Sequence, residues 1–272
     1  MKGGNMTTRL AITFLILLYH GSTYAGSTQT KQTRFDANTI ALFAKDVEKY
    51  AAKNGARSFI IARRGQPKNK LPAGFQFTHT AIAVYSQIQL DSGESVKGYA
   101  IHNLYQEQTD ANKSLLVTDY PVDFFWGADS LTAGIAIPTI ELQTRLIAAI
   151  QSGVNKSLHN PHYSLIANPF NNAYQNCTEH TLNVINAALY QTDNMPRLKA
   201  NAKAYFQATP VKVSRIKLAL GNWFADGVTT KDHDKIIQTA SFTSIAQYLQ
   251  EFGLLKNAVI FEHKKGAVPL FN

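Results

Sequence analysis

The chain has 272 residues, of which 45% are hydrophobic and 17% charged, and it carries a single cysteine. That much apolar material closes one domain or at most two, and it excludes a disordered chain, a collagen repeat and a disulfide-stapled miniprotein. A formal charge of +9 at pH 7 makes the protein basic, so anionic surfaces are its expected partners.

At the N-terminus, Lys2 and Arg9 precede the apolar run Leu10 to Tyr19, and the small-residue stretch Ser22-Thr23-Tyr24-Ala25 follows it. The run is about half of the ~20 residues that span a bilayer. Residues 1–25 therefore read as a secretory signal peptide cut after Ala25, with no permanent membrane anchor. The expected location is the periplasm or the exterior. An exported basic chain meets anionic envelope polymers and lipid head groups rather than nucleic acid.

The remainder, residues 26–272, shows no internal repeat, long linker or charge block, which predicts a single domain folded from about residue 32 to about residue 262. Asp36 to Asn54 places Ile40, Phe43, Ala44, Val47, Tyr50 and Ala51 at helical spacing, with Gly55 as the stop. Arg57 to Arg63, Phe77 to Ile88 and Gly98 to Gln106 are rich in aromatic and β-branched residues and read as an antiparallel meander. Ala133 to Ile137 is a shorter apolar run ended by Pro138, and Ile140 to Ile150 reads as a helix with Leu142, Leu146, Ile147 and Ile150 inward. Gly153 to Gln175, dense in Asn, Pro and His, reads as an irregular loop. Three more helices are predicted over Cys177 to Leu189, Arg197 to Phe206 and Ser241 to Phe252. The fold class is α+β, an antiparallel sheet packed against helices.

Cys177 opens the first of those last three helices. Asn176 before it is a good N-cap, and Glu179 stands where the acid of a capping box belongs. In the first turn the unpaired N–H groups and the macrodipole favour a thiolate, which is what nucleophilic work requires. The same position also suits a small core residue. His79 falls inside the second strand, where it shares a face with Ala81, Ala83 and Tyr85, while Thr80, Ile82 and Val84 share the other. In the next strand, His102 and Asn103 point to opposite faces, and either could orient the His79 ring.

A strand histidine, a polar residue in the following strand and a later cysteine within Asn176-Cys177-Thr178-Glu179 resemble the permuted papain-like thiol enzymes. Those comprise relatives of NlpC-type cell-wall amidases and lecithin retinol acyltransferase-like proteins. Over most of its length the chain also resembles a secreted bacterial domain-of-unknown-function family, number 2145. That likeness is carried by Thr78-His79, Asn103-Leu104-Tyr105-Gln106, Asp119-Tyr120-Pro121-Val122-Asp123-Phe124-Phe125 and Gln175-Asn176-Cys177-Thr178-Glu179. The thiol-enzyme resemblance implies a permuted papain-like fold with Cys177 as nucleophile at a helix N-terminus. It also implies His79 as general base and then acid, with His102 or Asn103 as the third member.

Other constellations carry less. His159-Asn160-Pro161-His162 reads as a solvated loop rather than a metal pair, and Thr229 to Lys235, which includes Asp232-His233-Asp234, reads as an exposed turn. Nothing places Asp119/Asp123 or Asp129/Glu141 across a cleft, and Tyr120 to Trp126 reads as core packing. Without G-x-S-x-G, H-E-x-x-H or a phosphate loop, serine hydrolase, zinc protease and nucleotide-binding readings are disfavoured. The expectation is an exported thiol hydrolase or acyltransferase acting on amide or ester bonds. Its substrate would be a cell-wall peptide or an acyl group, with no metal or organic cofactor. The alternative is a non-catalytic envelope binding or scaffold domain whose cysteine is structural.

Overall fold

The structure, a computed structural model, describes residues 33–90, 92–211 and 227–271. The expected signal peptide and its cleavage point at Ala25 lie outside the described residues. Among the described residues no helix is long and apolar enough to cross a membrane.

Helix α1 (Ala37–Lys53) starts at Asp36, whose carboxylate accepts from Thr39 N at 2.9 Å, and it buries Ile40, Phe43, Ala44 and Val47. The strands are β1 (Ser58–Arg63), β2 (His79–Gln89), β3 (Ser95–Gln106), β4 (Ser114–Asp119) and β5 (Thr132–Pro138), with α2 (Pro121–Trp126) between the last two. Then come α3 (Ile140–Gln151), α4 (Val154–Ser157), α5 (Cys177–Tyr190) and α6 (Met195–Tyr205). A two-residue pair, β6 (Thr209–Pro210) and β7 (Gln238–Thr239), precedes α7 (Phe242–Glu251), and β8 (Leu255–Glu262) and β9 (Gly266–Pro269) form a hairpin. That hairpin carries the sheet beyond the predicted limit near residue 262.

Seven strands form one antiparallel sheet in the order β4-β3-β2-β1-β5-β8-β9. The predicted meander is its β3-β2-β1 part. Alternation divides the side chains between two layers. Ile60, Ala62, Ile82, Val84 and Ala136 pack with α3, α5, α6 and α7, while Phe59, Ile61, Ala81, Ala83, Ile101 and Ile135 pack with α1 and α2. Central β1 is buried along its whole length, as a strand covered on both faces must be. Of the segment Tyr120 to Trp126, expected to pack in the core, Phe124 and Phe125 are fully buried, whereas Tyr120 and Val122 are exposed.

Gly134 in β5 lies beneath the T-shaped ring pair Phe77 and Phe242, whose centroids are 5.0 Å apart, and a Cβ there would come within 2.7 Å of the Phe242 ring. The β2–β3 ladder runs from Gln89↔Ser95 to Ile82↔His102 and stops, although both strands continue. Beyond that point β2 stays paired with β1 as far as Arg63↔His79, and β3 stays paired with β4 as far as Gln106↔Ser114. The sheet is forked where the candidate residues lie.

Candidate functional site

Asn176 caps α5 as its sequence predicts, its Oδ1 accepting from Thr178 N at 3.1 Å and Glu179 N at 2.9 Å. The cap is itself anchored, since Asn176 Nδ2 donates to Leu165 O at 2.9 Å and to Thr239 Oγ1 at 3.2 Å. Glu179 departs from its predicted capping-box role. Cys177 to Ala188 are all buried, so its carboxylate turns inward to pair with Lys199 of α6 and to accept from Asn183 Nδ2 at 2.7 Å. Burial pushes the Glu179 carboxyl up, against the pull of the Lys199 ammonium.

Cys177 is 4% exposed and packs with Leu104 and Tyr163, with Leu116 and Leu165 beside them. Its Sγ lies 3.7 Å from Thr178 Oγ1 and 4.0 Å from the Thr78 carbonyl oxygen, on the peptide that leads into His79.

His79 is 1% exposed. Its Nε2 lies 2.8 Å from Asn103 Oδ1, and its Nδ1 has no hydrogen-bond partner. Asn103 Nδ2 donates to Ile101 O at 3.0 Å and to Asp119 Oδ2 at 3.3 Å, and the Tyr105 hydroxyl donates to the same carboxylate oxygen at 2.6 Å. The imidazole stacks on Tyr105 with centroids 4.7 Å apart, and Phe124 lies 5.4 Å away. Arg63, opposite His79 in the β1–β2 register, sets its guanidinium 5.6 Å from the Phe124 centroid. Burial and the nearby Arg63 charge hold the imidazole well below its ordinary pKa, against the opposing effect of Asn103.

The structure brings His79 and Asn103 into direct contact and leaves His102 out. His102 stands opposite Ile82, on the side of the sheet facing α5, and burial, then the Lys156 charge, lowers its pKa. Cys177 packs on that same α5 side with Leu104, whereas the His79 ring lies with Tyr105 and Phe124 toward α2. No hydrogen bond joins the thiol to the imidazole. What brings their backbones together is the fork between β2 and β3, at whose mouth Sγ meets the Thr78 carbonyl.

Asp119 and Tyr105 complete this network, and neither stands out in the sequence as a site residue. The available signal was the shared parity of Asn103 and Tyr105, which puts both on one face of β3. Elsewhere, His159 Nε2 lies 3.0 Å from Ser114 Oγ. Among the described residues no three His, Cys, Asp or Glu side chains gather as a metal site. The exposed-turn expectation for residues 229–235 needs correction, because Asp232 and His233 turn their side chains inward. Asp232 Oδ2 accepts from Asn168 N at 2.8 Å, and His233 Nε2 lies 2.9 Å from Ile166 O, which ties down the loop leading to Asn176.

Residues 50–249 match the family described as an uncharacterized protein conserved in bacteria (DUF2145), and the chain belongs to that family. No curated protein and no solved structure matches the chain.

Proposed function

We propose that this DUF2145 member is an exported thiol hydrolase or acyltransferase of papain-like type, acting on amide or ester bonds in the cell envelope, with peptidoglycan peptides as the first substrate class. Cys177 is the nucleophile, His79 the base and then the acid, and Asn103 the group that orients the ring. The observation that carries this reading is the state of His79: Nε2 is held by Asn103 while Nδ1 is unbonded, and the thiol sits 4.0 Å from the adjoining Thr78 carbonyl.

The first step requires the fork between β2 and β3 to bring Nδ1, on the α2 side, into contact with Sγ, on the α5 side; Nδ1 then takes the thiol proton as sulfur adds to the substrate carbonyl carbon, and the carbonyl π pair moves onto oxygen. Asn176 occupies the N–H groups of residues 178 and 179, so the Cys177 N–H is the first-turn donor left to face that oxyanion. Collapse of the tetrahedral adduct breaks the bond to the amine or alcohol, which leaves with the proton from Nδ1, and a thioester remains. Water, or an acceptor hydroxyl or amine, then gives its proton to Nδ1 and attacks the thioester. Thiolate departs and recovers that proton.

A second reading is favoured by the packing of Cys177 among Leu104, Leu116, Tyr163 and Leu165: a non-catalytic envelope domain with a structural thiol. Alkylation of the folded protein by iodoacetamide separates the two. The enzyme reading expects the thiol to react at neutral pH, and to react at least about tenfold more slowly in His79→Ala. A thiol that reacts only on unfolding, in both proteins, overturns it and leaves the structural reading.

A further inference from the structure

We infer that Asp119 is a positioning residue: acting through Asn103, it fixes His79 in the tautomer that carries its proton on Nε2 and presents a bare Nδ1. Its catalytic meaning rests on the thiol-enzyme reading, whereas the tautomer itself does not.

The two ends of a carboxamide are unlike, one donating and the other accepting. Asn103 Nδ2 faces the Ile101 carbonyl at 3.0 Å and the Asp119 carboxylate at 3.3 Å. Both are acceptors, so the nitrogen end of the amide belongs there. The oxygen end is thereby committed to His79 Nε2 at 2.8 Å. An amide oxygen can only accept, so Nε2 must carry the hydrogen, and the lone pair that a general base needs falls on Nδ1.

Ile101 lies in the same strand as Asn103, two residues away, and its carbonyl moves with that strand. Asp119 comes from β4 and is the anchor from outside. Its carboxylate is held by the Tyr105 hydroxyl at 2.6 Å, and the Tyr105 ring is the surface on which the imidazole stacks. The four side chains close a ring, none of them more than 3% exposed, so water does not compete for their hydrogen bonds. Asp119 reaches the imidazole through Asn103, which holds Nε2, and supports it through Tyr105, whose ring stacks on it.

The test is nitrogen NMR of histidine-labelled protein, with the His79 signal assigned by its loss in His79→Gln. Wild-type His79 is expected as the Nε2–H tautomer; an Nδ1–H tautomer there overturns the inference outright. In Asp119→Asn, whose folding is checked by its melting transition, the Nδ1–H form should rise by about tenfold, the loss of one hydrogen bond to a charged group. Asp119→Glu, which keeps the carboxylate, should restore most of the wild-type ratio. An unchanged tautomer in Asp119→Asn also overturns the inference. Should the tautomer respond as expected while Cys177 stays inert to iodoacetamide, the positioning stands and the enzyme reading falls.

Discussion

Thr178 Oγ1 lies 3.3 Å from Thr80 Oγ1, and on the next turn of α5 Thr181 Oγ1 reaches the Thr80 carbonyl at 3.4 Å. One residue of β2 thus holds the first two turns of the cysteine helix, beside the start of the fork. Thr80→Val keeps the shape and removes the hydroxyl. It should lower the unfolding free energy by about 1 kcal/mol, read by urea denaturation. Unchanged stability would show that the hydroxyl pair is not a tether.

Asn103→Leu removes the partner of His79 Nε2, and the imidazole has no water to turn to at 1% exposure. The expected cost is about 1–3 kcal/mol for a buried polar group left unsatisfied. Iodoacetamide labelling of Cys177 should slow to the same degree expected of His79→Ala. His102→Leu, on the other face of β3, should leave labelling at the wild-type rate, and equal losses in both variants would contradict the assignment of Asn103.

The Glu179–Lys199 pair is buried between α5 and α6, the two side chains being 0% and 7% exposed. Lys199→Met strands a carboxylate and should cost about 3–5 kcal/mol, whereas adding Glu179→Leu to it should recover most of that loss. A double-mutant cycle by chemical denaturation measures the coupling, and a value near zero would mean that the pair does not hold the two helices together.

His180 gives the protein an acid-sensitive core. Burial, with the His159 and Lys199 charges nearby, holds its imidazole down at about 3. Above the unfolded value of ~6.5, both folded and unfolded chains keep this ring neutral and it has no effect. As pH falls from there toward 3 the unfolded chain takes up a proton that the native state refuses, so stability is lost at up to about 1.4 kcal/mol per pH unit. His180→Gln should flatten that acid limb in part, because His79 is shifted in the same direction and remains. A limb of unchanged slope in urea titrations between pH 6.5 and 4 would show that His180 is not its source.

Gly134→Ala forces a methyl against the Phe242 ring and should cost about 1–3 kcal/mol. Phe242→Leu in the same chain makes room and should return part of the loss. A single variant as stable as wild type, judged by its melting transition, would mean that the ring pair slides aside freely.

Much of the site could be read residue by residue, and the limits have identifiable causes. The N-cap of α5 was visible because capping is local, and the two faces of β2 were visible because alternation is local. Whether His102 or Asn103 shares the face of His79 depends on the register between two strands, which the turn joining them sets and composition does not reveal. Glu179 fits a capping box at short spacing, whereas its partner Lys199 stands on another helix, and a nonlocal ion pair leaves no mark in the local sequence. Leu255 to Glu262 escaped notice as a strand because several of its residues are half-exposed and Lys256 and Asn257 break the apolar pattern. Ser114 to Asp119 escaped for the same reason, as a short strand at the edge of the sheet.

Strand β5 is hydrogen-bonded to β1 on one side and to β8 on the other. A chain lacking residues 255–262 therefore leaves β5 with one row of amides and carbonyls bare. An open edge of that kind pairs with whatever strand it meets, including one from a neighbouring copy of the chain. Messages cut short ahead of Leu255 should consequently yield insoluble product. A holding chaperone that delays compaction would find its natural grip there.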